Sequence, residues 1–329
     1  MSEKVGIILE MIVNLNQNDQ KELMSRLAEI MQSLNSSCGS KITQNSISNL
    51  NAVIACPYCT SSAIQNHANF NNRMRYKCMS CLKTFTKLTG SSISKTRYPE
   101  KWQSFIGCMV DGLSVARTAV KVGVSIPTAF SWRHKLLKQY EKEAGLKLAG
   151  IIEADETFFL FSEKGSKGVS AKRKPRKRGG KAKKSGISNE QIPVIVGCDR
   201  NGNVIIGVAG AGRISLADIE LTLNEFMAGN STLCTDGHAS FKAYAKAYQL
   251  NYIGLNISKG RRVVEDIYHI QNVNNFHSRL KQWMMRFNGV STKYLQNYMN
   301  WFALLEETKG TKNEQCAEFT KRSLPALIT

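Results

Sequence analysis

The sequence lacks the features of a membrane protein or a secreted protein. No run of about 20 apolar residues, the length that a membrane-spanning helix needs, occurs in it. A secretory signal is also missing, because Asn14, Asn16 and Asp19 interrupt the apolar start before any small-residue cleavage site. We therefore expect a cytoplasmic protein that makes no membrane contact.

Acidic residues are scarce relative to basic ones. Lys and Arg total 45 against 25 Asp and Glu, and the formal net charge is +20 at pH 7. A surplus of this size repels itself unless a polyanion relieves it. The composition favours nucleic acid as that polyanion, ahead of an anionic membrane surface or a ribosomal setting. With 42% hydrophobic residues, the 329-residue chain can build two or three folded units, one of them with a sizeable core.

The cysteines do not form the even set that a disulfide-bonded secreted protein uses. They number nine, and four stand in two close pairs: Cys56 and Cys59 are followed after eighteen residues by Cys78 and Cys81. Two such knuckles at this separation are typical of a zinc ribbon, in which each turn presents two thiolates to one tetrahedral Zn²⁺. We interpret the others as free thiols in a reducing cytoplasm: Cys38, Cys108, Cys198, Cys234 and Cys316.

Basic and aromatic residues precede the second knuckle: Arg73, Arg75, Tyr76 and Lys77. A strand of this composition can lie along a phosphate backbone. A zinc ribbon whose ion is structural and which makes no DNA contact is the alternative. The residues leave both interpretations open.

Two helical segments are predicted before the region of mixed structure. Residues 3–34 have apolar positions at helical spacing, which we interpret as a hairpin for packing or dimerisation. Residues 99–141 have the pattern of a second helical pair, with a break at Gly123 and Pro127 in the first turn of the next helix, where proline is tolerated. That next helix carries the basic residues Arg133, His134, Lys135 and Lys138.

The second pair predicts a helix-turn-helix whose second helix enters the major groove of DNA. The four basic residues would then contact DNA. An ordinary helical pair with a solvated basic face is the alternative interpretation of the same pattern.

From Gly150 onward the pattern alternates between strands and helices. Three consecutive strands are predicted at residues 151–160, 191–198 and 203–209. The prediction then alternates: helix 216–227, strand 231–235, helix 241–248, strand 251–255 and helix 267–287. This order predicts a mixed α/β domain, in which a three-strand meander is extended by strands that helices connect.

A strongly basic segment separates the first two strands. Nine of the fourteen residues in 171–184 are Lys or Arg and none is acidic. A free chain of this composition repels itself, so we interpret it as a phosphate clamp that orders on DNA and whose affinity falls steeply with salt. The predicted DNA contacts are Lys172, Arg173, Lys174, Arg176, Lys177, Arg178 and Lys181.

Two aspartates occupy strand positions at which a carboxylate is costly unless it is paired or holds a cation. Asp155 lies inside an apolar strand, and Asp236 directly follows the strand 231–235. Two such carboxylates can hold Mg²⁺ or Mn²⁺, which prefer oxygen ligands and leave positions open for phosphate and water. On the long helix, Asn274 and Lys281 lie two turns apart, opposite the apolar face; the amide oxygen can bind metal and the ammonium can bind phosphate.

Neighbouring polar residues offer alternatives at this site. Strand alternation places Glu153 on the same face as Asp155, as a supporting group, and Glu156 on the opposite face. Glu265 and Asp266 could replace the carboxylate that Asn274 lacks, although they precede the helix. His269 and His277 are interpreted as structural residues or phosphate contacts, since hard ions prefer oxygen.

Three segments carry a family resemblance: residues 153–157, 235–237 and 269–276. Over about residues 50–305, the chain resembles the zinc-ribbon-led group of DDE-superfamily insertion-sequence transposases. The resemblance implies an RNase-H-like fold, with Asp155, Asp236 and Asn274 as the catalytic metal ligands. Asn274 departs from the glutamate form, but Asn followed seven residues later by Lys281 agrees with a subgroup of the family.

The resemblance also implies a function. The chain would bind double-stranded DNA at the terminal inverted repeats of an insertion sequence, cut it, and join the freed ends to target DNA. It would act as a homodimer or larger assembly on the bacterial nucleoid. The alternative is a zinc-ribbon and helix-turn-helix regulator with an inactive transposase-derived domain; a serine or tyrosine recombinase lacks an activated nucleophile here.

The predicted domain organisation has five parts. They are an N-terminal helical segment and linker (1–50), a zinc ribbon (51–92), a helix-turn-helix (93–146), an RNase-H-like catalytic domain (147–305) with a basic insertion (163–190), and a C-terminal tail (306–329). The expected ions are structural Zn²⁺ in the ribbon and Mg²⁺ or Mn²⁺ in the catalytic domain.

Overall fold

A computed structural model of the chain describes residues 55–70, 73–140, 146–166, 182–255 and 262–323, together with the single residues 19, 22, 26, 180 and 260. The predicted N-terminal hairpin and the seven basic contacts of segment 171–184 lie outside the described residues. The chain divides into two compact units, residues 1–107 with 311–329, and residues 108–310. Within the described part, no helix is both long and apolar enough to cross a membrane.

The secondary structure follows the predicted alternation. The strands are β1 (Ile64–Phe70), β2 (Arg73–Cys78), β3 (Thr84–Phe85), β4 (Ile151–Leu160), β5 (Gln191–Asp199), β6 (Val204–Val208), β7 (Thr232–Thr235) and β8 (Asn251–Gly254). The helices are α1 (Trp102–Val110), α2 (Val115–Val122), α3 (Ile126–Leu137), α4 (Leu216–Leu223), α5 (Ala239–Ala247), α6 (Gln271–Met285), α7 (Leu295–Glu307) and α8 (Lys312–Ser323).

In the first unit, β1, β2 and β3 form an antiparallel sheet over a small core. Tyr76 and Phe85 pack with ring centroids 5.7 Å apart, and Cys56 and Cys78 are buried beside them. Tyr76 is therefore a core residue, whereas Arg75 on the same strand is exposed. Helix α8, also in this unit, occupies half of the segment predicted as a tail.

In the second unit, α2 and α3 form the predicted helical pair. Ser114 and Ser125 cap the two helices, their side chains accepting hydrogen bonds from the backbone N–H groups of Arg117 and Thr128. Gly123 ends α2 in the left-handed conformation, with φ of 67°, which glycine adopts without a steric penalty.

The second unit also contains a five-stranded mixed sheet in the order β6-β5-β4-β7-β8. β4, β5 and β6 are antiparallel neighbours, as a meander requires. β7 and β8 add to the other edge in parallel, each reached through a helix. The predicted RNase-H-like mixed α/β fold is confirmed.

The two faces of this sheet carry different helices. On one face, α4 and α5 cover an apolar core that includes Ile152, Ala154 and Leu233. Alternation along β4 turns Glu153, Asp155 and Thr157 to the other face, where α6 packs on β4 and β5, and α7 packs on β6. The acids of β4 thus face the long helix, as the alternating pattern predicts.

Helix α6 begins at Gln271, four residues later than the predicted start at 267. Val264 and Tyr268 exchange two backbone hydrogen bonds of 2.9 Å, and the Glu265 and Asp266 between them have positive φ. This tight turn takes the backbone groups that an earlier helical turn would need. The predicted apolar face of α6 is confirmed, because all five of its members are buried: Val273, Phe276, Leu280, Trp283 and Phe287.

Candidate functional site

The four cysteines of the two knuckles come together in the first unit. Their Sγ atoms all lie within 4.8 Å of one another, with Cys56 3.6 Å from Cys81 and Cys59 3.5 Å from Cys78. A tetrahedral zinc with Zn–S bonds near 2.3 Å separates its sulfurs by about 3.8 Å. The donor set and its spacing therefore fit one structural zinc ion.

The two knuckles share one backbone design. Thr60 and Leu82, each directly after the second cysteine of its pair, adopt positive φ and turn the chain back. The N–H of Cys56 then donates to Ser61 and that of Cys78 to Lys83, at 2.9 and 3.0 Å. The backbone of Cys81, opposed by burial and aided by the Cys59 thiol, lowers the pKa of the Cys78 thiol. The backbone of Ser61 lowers the pKa of Cys59, but burial and hydrogen bonds from the other three cysteines outweigh it and raise that pKa.

Strand register brings the two predicted catalytic aspartates to adjacent positions. β4 and β7 pair in parallel, with Glu153 opposite Cys234. The same offset, continued for two residues to the position directly after β7, sets Asp155 beside Asp236. The side chain of Asp155 is 17% exposed, whereas Asp236 is exposed and accepts a hydrogen bond of 3.0 Å from the N–H of His238.

The carboxylates at this position are crowded and desolvated. Burial, then the charges of Glu156 and Asp236, raise the pKa of Asp155 to about 7, while the Lys281 ammonium acts in the opposite direction. Burial and the charge of Asp236 likewise raise the pKa of Glu156 to about 7. One oxygen of Glu156 is buried and has no hydrogen-bond partner among the described residues. Oxygen donors that repel one another in this way suit a hard divalent cation.

Glu156 was missed by alternation alone, which assigns it to the opposite face of β4. β7 ends at Thr235, one residue before Asp236. The part of β4 that follows Asp155 therefore has no neighbouring strand on the side of β7. Charges on either face of β4 can therefore act on Asp236. The signal available in the sequence was the run Asp155-Glu156 itself.

The contacts of α6 show where its polar residues lie along β4. Near its start, Asn272 and Val273 donate to Glu153. His277 lies further along, with its Nδ1 3.7 Å from Oδ2 of Asp155. Asn274 lies one turn before His277 and is exposed, as is Lys281.

The histidines and the other acids are placed differently. Burial, aided by the charge of Lys281, lowers the pKa of His277 to about 4, so its ring is neutral at pH 7. His269 lies 3.3 Å from Glu153, beside the helix start. Glu265 and Asp266, the predicted alternatives to Asn274, lie in the turn that precedes α6.

Two predicted DNA contacts on α3 need correction. Arg133 is fully buried; its Nη2 donates to the carbonyl of Leu113 at 2.6 Å, and its guanidinium lies 4.9 Å from the ring centroid of Trp301. His134 is 8% exposed and stacks on Tyr294 at 4.0 Å. Burial and the charge of Arg133 lower the pKa of His134 to about 4. Both residues pack inside the second unit, because that face of α3 carries its apolar contacts.

Lys135 and Lys138 lie on the exposed face of α3. They are the exposed members of the predicted α3 set. The zinc-ribbon strand adds an exposed Arg75, whose guanidinium donates to Thr84 at 2.8 Å.

The mixed five-stranded sheet, with Asp155 and Asp236 at neighbouring strand positions, is consistent with an RNase-H-like fold. Residues 147–304 match the model of the ISXO2-like transposase domain. This segment contains the whole five-stranded sheet, α6 and most of α7. This match supports an insertion-sequence transposase of the DDE superfamily, with 147–304 as its transposase domain.

Two solved structures are similar in part. A chain in the structure of the simian T-cell lymphotropic virus intasome in complex with PP2A regulatory subunit B56 gamma has 10% identity and a TM-score of 0.28, covering 59% of this chain and 65% of that one. A chain of the pre-cleavage Mos1 transpososome has 11% identity and a TM-score of 0.19, covering 67% and 78%. This chain thus spans less than two thirds of the intasome chain. Comparison with curated proteins gives no match.

The knuckle geometry predicts a zinc requirement for the first unit. We expect the purified chain to carry one zinc ion in the four-cysteine cluster, and Cys78→Ala to lose it, because three sulfurs cannot complete a structural site. Elemental analysis and limited proteolysis measure this, with the ribbon becoming sensitive in the variant. Cys316→Ala, a buried thiol of the same unit, is the control and should retain zinc. Zinc that persists in Cys78→Ala would contradict the assignment.

The raised carboxyl pKa values predict a pH dependence of stability without added Mg²⁺ or Mn²⁺. A carboxyl whose pKa is raised on folding binds its proton more tightly in the folded state, so its contribution is lost as the pH rises through about 7. We expect the contribution of each carboxyl to the free energy of unfolding to fall by up to about 1.4 kcal/mol per pH unit between its ordinary pKa near 4 and its raised pKa of about 7, and to stay constant above about pH 8. Urea unfolding measures it.

Asp155→Asn should flatten this dependence and raise the stability at pH 8, because it removes a repelled charge. Glu225→Gln, an exposed acid on the same unit, is the control and should keep the wild-type slope. His134 and His277, whose pKa values fall on folding, act with the opposite sign below pH 6.5 and cancel in the comparison. Parallel curves for wild type and Asp155→Asn would show that Asp155 does not titrate near neutrality.

Proposed function

We propose that this chain is an insertion-sequence transposase that binds the ends of its element and carries out metal-dependent DNA cleavage and strand transfer. The observation that carries the proposal is the alignment of Asp155 and Asp236 on adjacent parallel strands, in a domain of the ISXO2-like family. A structural protein gains nothing from a desolvated carboxylate, Asp155, beside a second acidic side chain, Asp236. A metal-dependent enzyme needs them.

The residues that would hold Mg²⁺ or Mn²⁺ are Asp155, Asp236 and Asn274. All three offer oxygen, the donor that both ions prefer. When bound, such ions supply an activated attacking oxygen and stabilise the leaving oxygen of an in-line displacement. Asn274 adds no charge, so the two aspartates and the nearby Glu156 supply the negative charge of the centre.

The chain's other groups would position the DNA. Lys281 would meet a phosphate beside Asp155, on which its charge already acts. Lys135 and Lys138 would contact the backbone of the element's end, and the segment 171–184 would add sequence-independent phosphate contacts. The zinc ribbon would provide a further folded module for the same DNA.

The chemistry needs no covalent protein intermediate. Water attacks a backbone phosphorus, one P–O bond forms as another breaks, and the element's strand is left with a 3′ hydroxyl. That hydroxyl then attacks a phosphorus of target DNA in a second exchange of P–O bonds. Because two element ends must be joined at one target, we propose a homodimer or larger assembly.

A second candidate function rests on Asn274. An amide in place of a carboxylate removes one charge from the centre, and a DNA-binding regulator with a transposase-derived but inactive domain would tolerate that. The two candidates differ in turnover and in their dependence on Asp155 and Asp236, because a regulator binds DNA equally well without them.

End cleavage and strand transfer on DNA that carries the element's terminal repeats separate these candidates. With Mg²⁺ or Mn²⁺, we expect wild-type activity and losses beyond about 100-fold, the upper range for residues one shell away from a metal, in Asp155→Asn, Asp236→Asn and Asn274→Ala. Glu225→Gln is the matched control and should be fully active. Equal activity in all variants would remove the catalytic assignment, and activity in none, with DNA binding intact, would favour the regulator.

Salt-dependent DNA binding tests the exposed face of α3. Lys135→Ala and Lys138→Ala should each weaken binding and reduce the slope of log affinity against log salt by about 1, because each removes one phosphate contact. Lys246→Ala, an exposed lysine at the end of α5, should bind as wild type. Unchanged slopes for the two α3 variants would mean that DNA does not contact this face.

A further inference from the structure

Helix α6 lacks a cap of its own. Ile270 occupies the N-cap position without a side-chain hydrogen bond, and the first turn has no acidic residue. The first N–H groups of a helix need acceptors and carry the positive end of the helix dipole. The N–H of Gln271 donates to Nδ1 of His269 at 3.3 Å, so another group must satisfy the N–H groups that follow.

Glu153 of β4 provides that group. Its carboxylate accepts hydrogen bonds from the backbone N–H groups of Asn272 at 2.7 Å and Val273 at 3.2 Å, and from the side-chain amide of Asn272 at 2.8 Å. Glu153 is only 1% exposed. A strand residue therefore caps this helix from across the packing interface.

A buried carboxylate is costly without a positive partner, and Arg200 supplies one. Its Nη1 lies 2.9 Å from Oε1 of Glu153, and its Nη2 donates to the carbonyl of Ile267 at 2.9 Å. Arg200 thus joins the β5–β6 turn, the strand β4 and the chain entering α6. The charge of Glu153 is therefore balanced by Arg200, and its oxygens accept hydrogen bonds from the start of α6.

The contact between Glu153 and α6 lies close to the candidate metal ligand Asp155. Asp155 follows Glu153 by two residues on the same face of β4, and His277, which contacts Asp155, lies one turn after Asn274 on α6. We propose that Glu153 is a positioning residue: by capping α6 it sets the register of that helix on β4 and so places Asn274 against Asp155 and Asp236. The contact of His277 with Asp155, further along the same helix, agrees with this register.

This inference rests on the proposed function, because it assigns Asn274 to a metal centre. An amide oxygen is a neutral ligand, so its contribution depends on placement more than on charge. Functional groups need to be held within about 0.5 Å of their working geometry by supporting residues. A frayed first turn of α6 would displace Asn274 while leaving the apolar face of the helix packed.

The test measures the binding of Mn²⁺ to the full chain without DNA. The electron paramagnetic resonance signal gives the concentration of free Mn²⁺ during the titration. Asp155→Asn identifies the site by abolishing binding. We expect Glu153→Gln to lower Mn²⁺ affinity by about 10- to 100-fold, the range for residues that orient a metal ligand, and Glu153→Ala to lower it further. Glu306→Gln is the matched control, because it breaks the ion pair that Arg279 of the same helix makes at 2.5 Å and should keep wild-type affinity.

A purely structural role for Glu153 predicts a different pattern. Glu153→Gln and Glu306→Gln would then both lower the melting temperature, and neither would change Mn²⁺ affinity; that result overturns the inference. If Glu153→Gln does not fold, Asn272→Ala replaces it. Asn272 is exposed, its substitution removes only the side-chain hydrogen bond to Glu153, and a several-fold loss of affinity is expected. Wild-type affinity in a folded Asn272→Ala would overturn the inference in that case.

The failure of the proposed function looks different again. Wild-type protein that binds no Mn²⁺ at Asp155 would overturn both the metal centre and the role of Glu153. Wild-type binding with unchanged affinity in Glu153→Gln would overturn only the positioning role. End-cleavage activity restored to Glu153→Gln by excess Mn²⁺ would support it, since positioning is then the only defect.

Discussion

The parallel pairing of β4 with β7 is the interaction on which the rest of the second unit depends. It brings Asp155 and Asp236, which are far apart in the chain, side by side on the inner strands of the sheet. There burial, with the charges of Glu156 and Asp236, raises the pKa of Asp155 to about 7. The cost of that repulsion is the physical reason to expect a cation there. The helices on both faces of the sheet then serve to hold this strand pair in place.

β4 has two roles in four consecutive residues, 152–155. Its inward-facing Ile152 and Ala154 belong to the core beneath α4 and α5, while Glu153 and Asp155 face α6. The strand thus connects packing energy on one face with polar organisation on the other. Because a one-residue shift would exchange these faces, the core specifies the position of the acids.

The helical pair α2–α3 shows how packing limits a binding surface. Arg133 fills a buried site against Trp301, and His134 stacks on Tyr294, so two of the four basic residues of α3 hold the pair against α7. Residues one apart on a helix point about 100° away from each other. A continuous run such as 133–135 therefore cannot lie on one DNA-facing stripe, and Lys135 and Lys138 form the exposed part.

Sequence patterns by themselves determined much of this protein. The spacing of the cysteines, the alternation along β4, the apolar face of α6 and the order of strands and helices are local patterns, and each set its element with little help from elsewhere. The departure of Asn274 from a carboxylate was also visible without coordinates. These features depend on covalent spacing and on the periods of helix and strand, which any contiguous segment displays.

Only the tertiary structure decided which face of α3 is buried, where α6 begins and what Glu153 does. Each of these depends on contacts between residues far apart in the chain: Arg133 with Trp301, Val264 with Tyr268 in a turn that competes with the helix, and Glu153 with Asn272. Hydrogen bonds and burial of this kind arise when the chain closes on itself. The periodicity of the sequence does not predict these contacts.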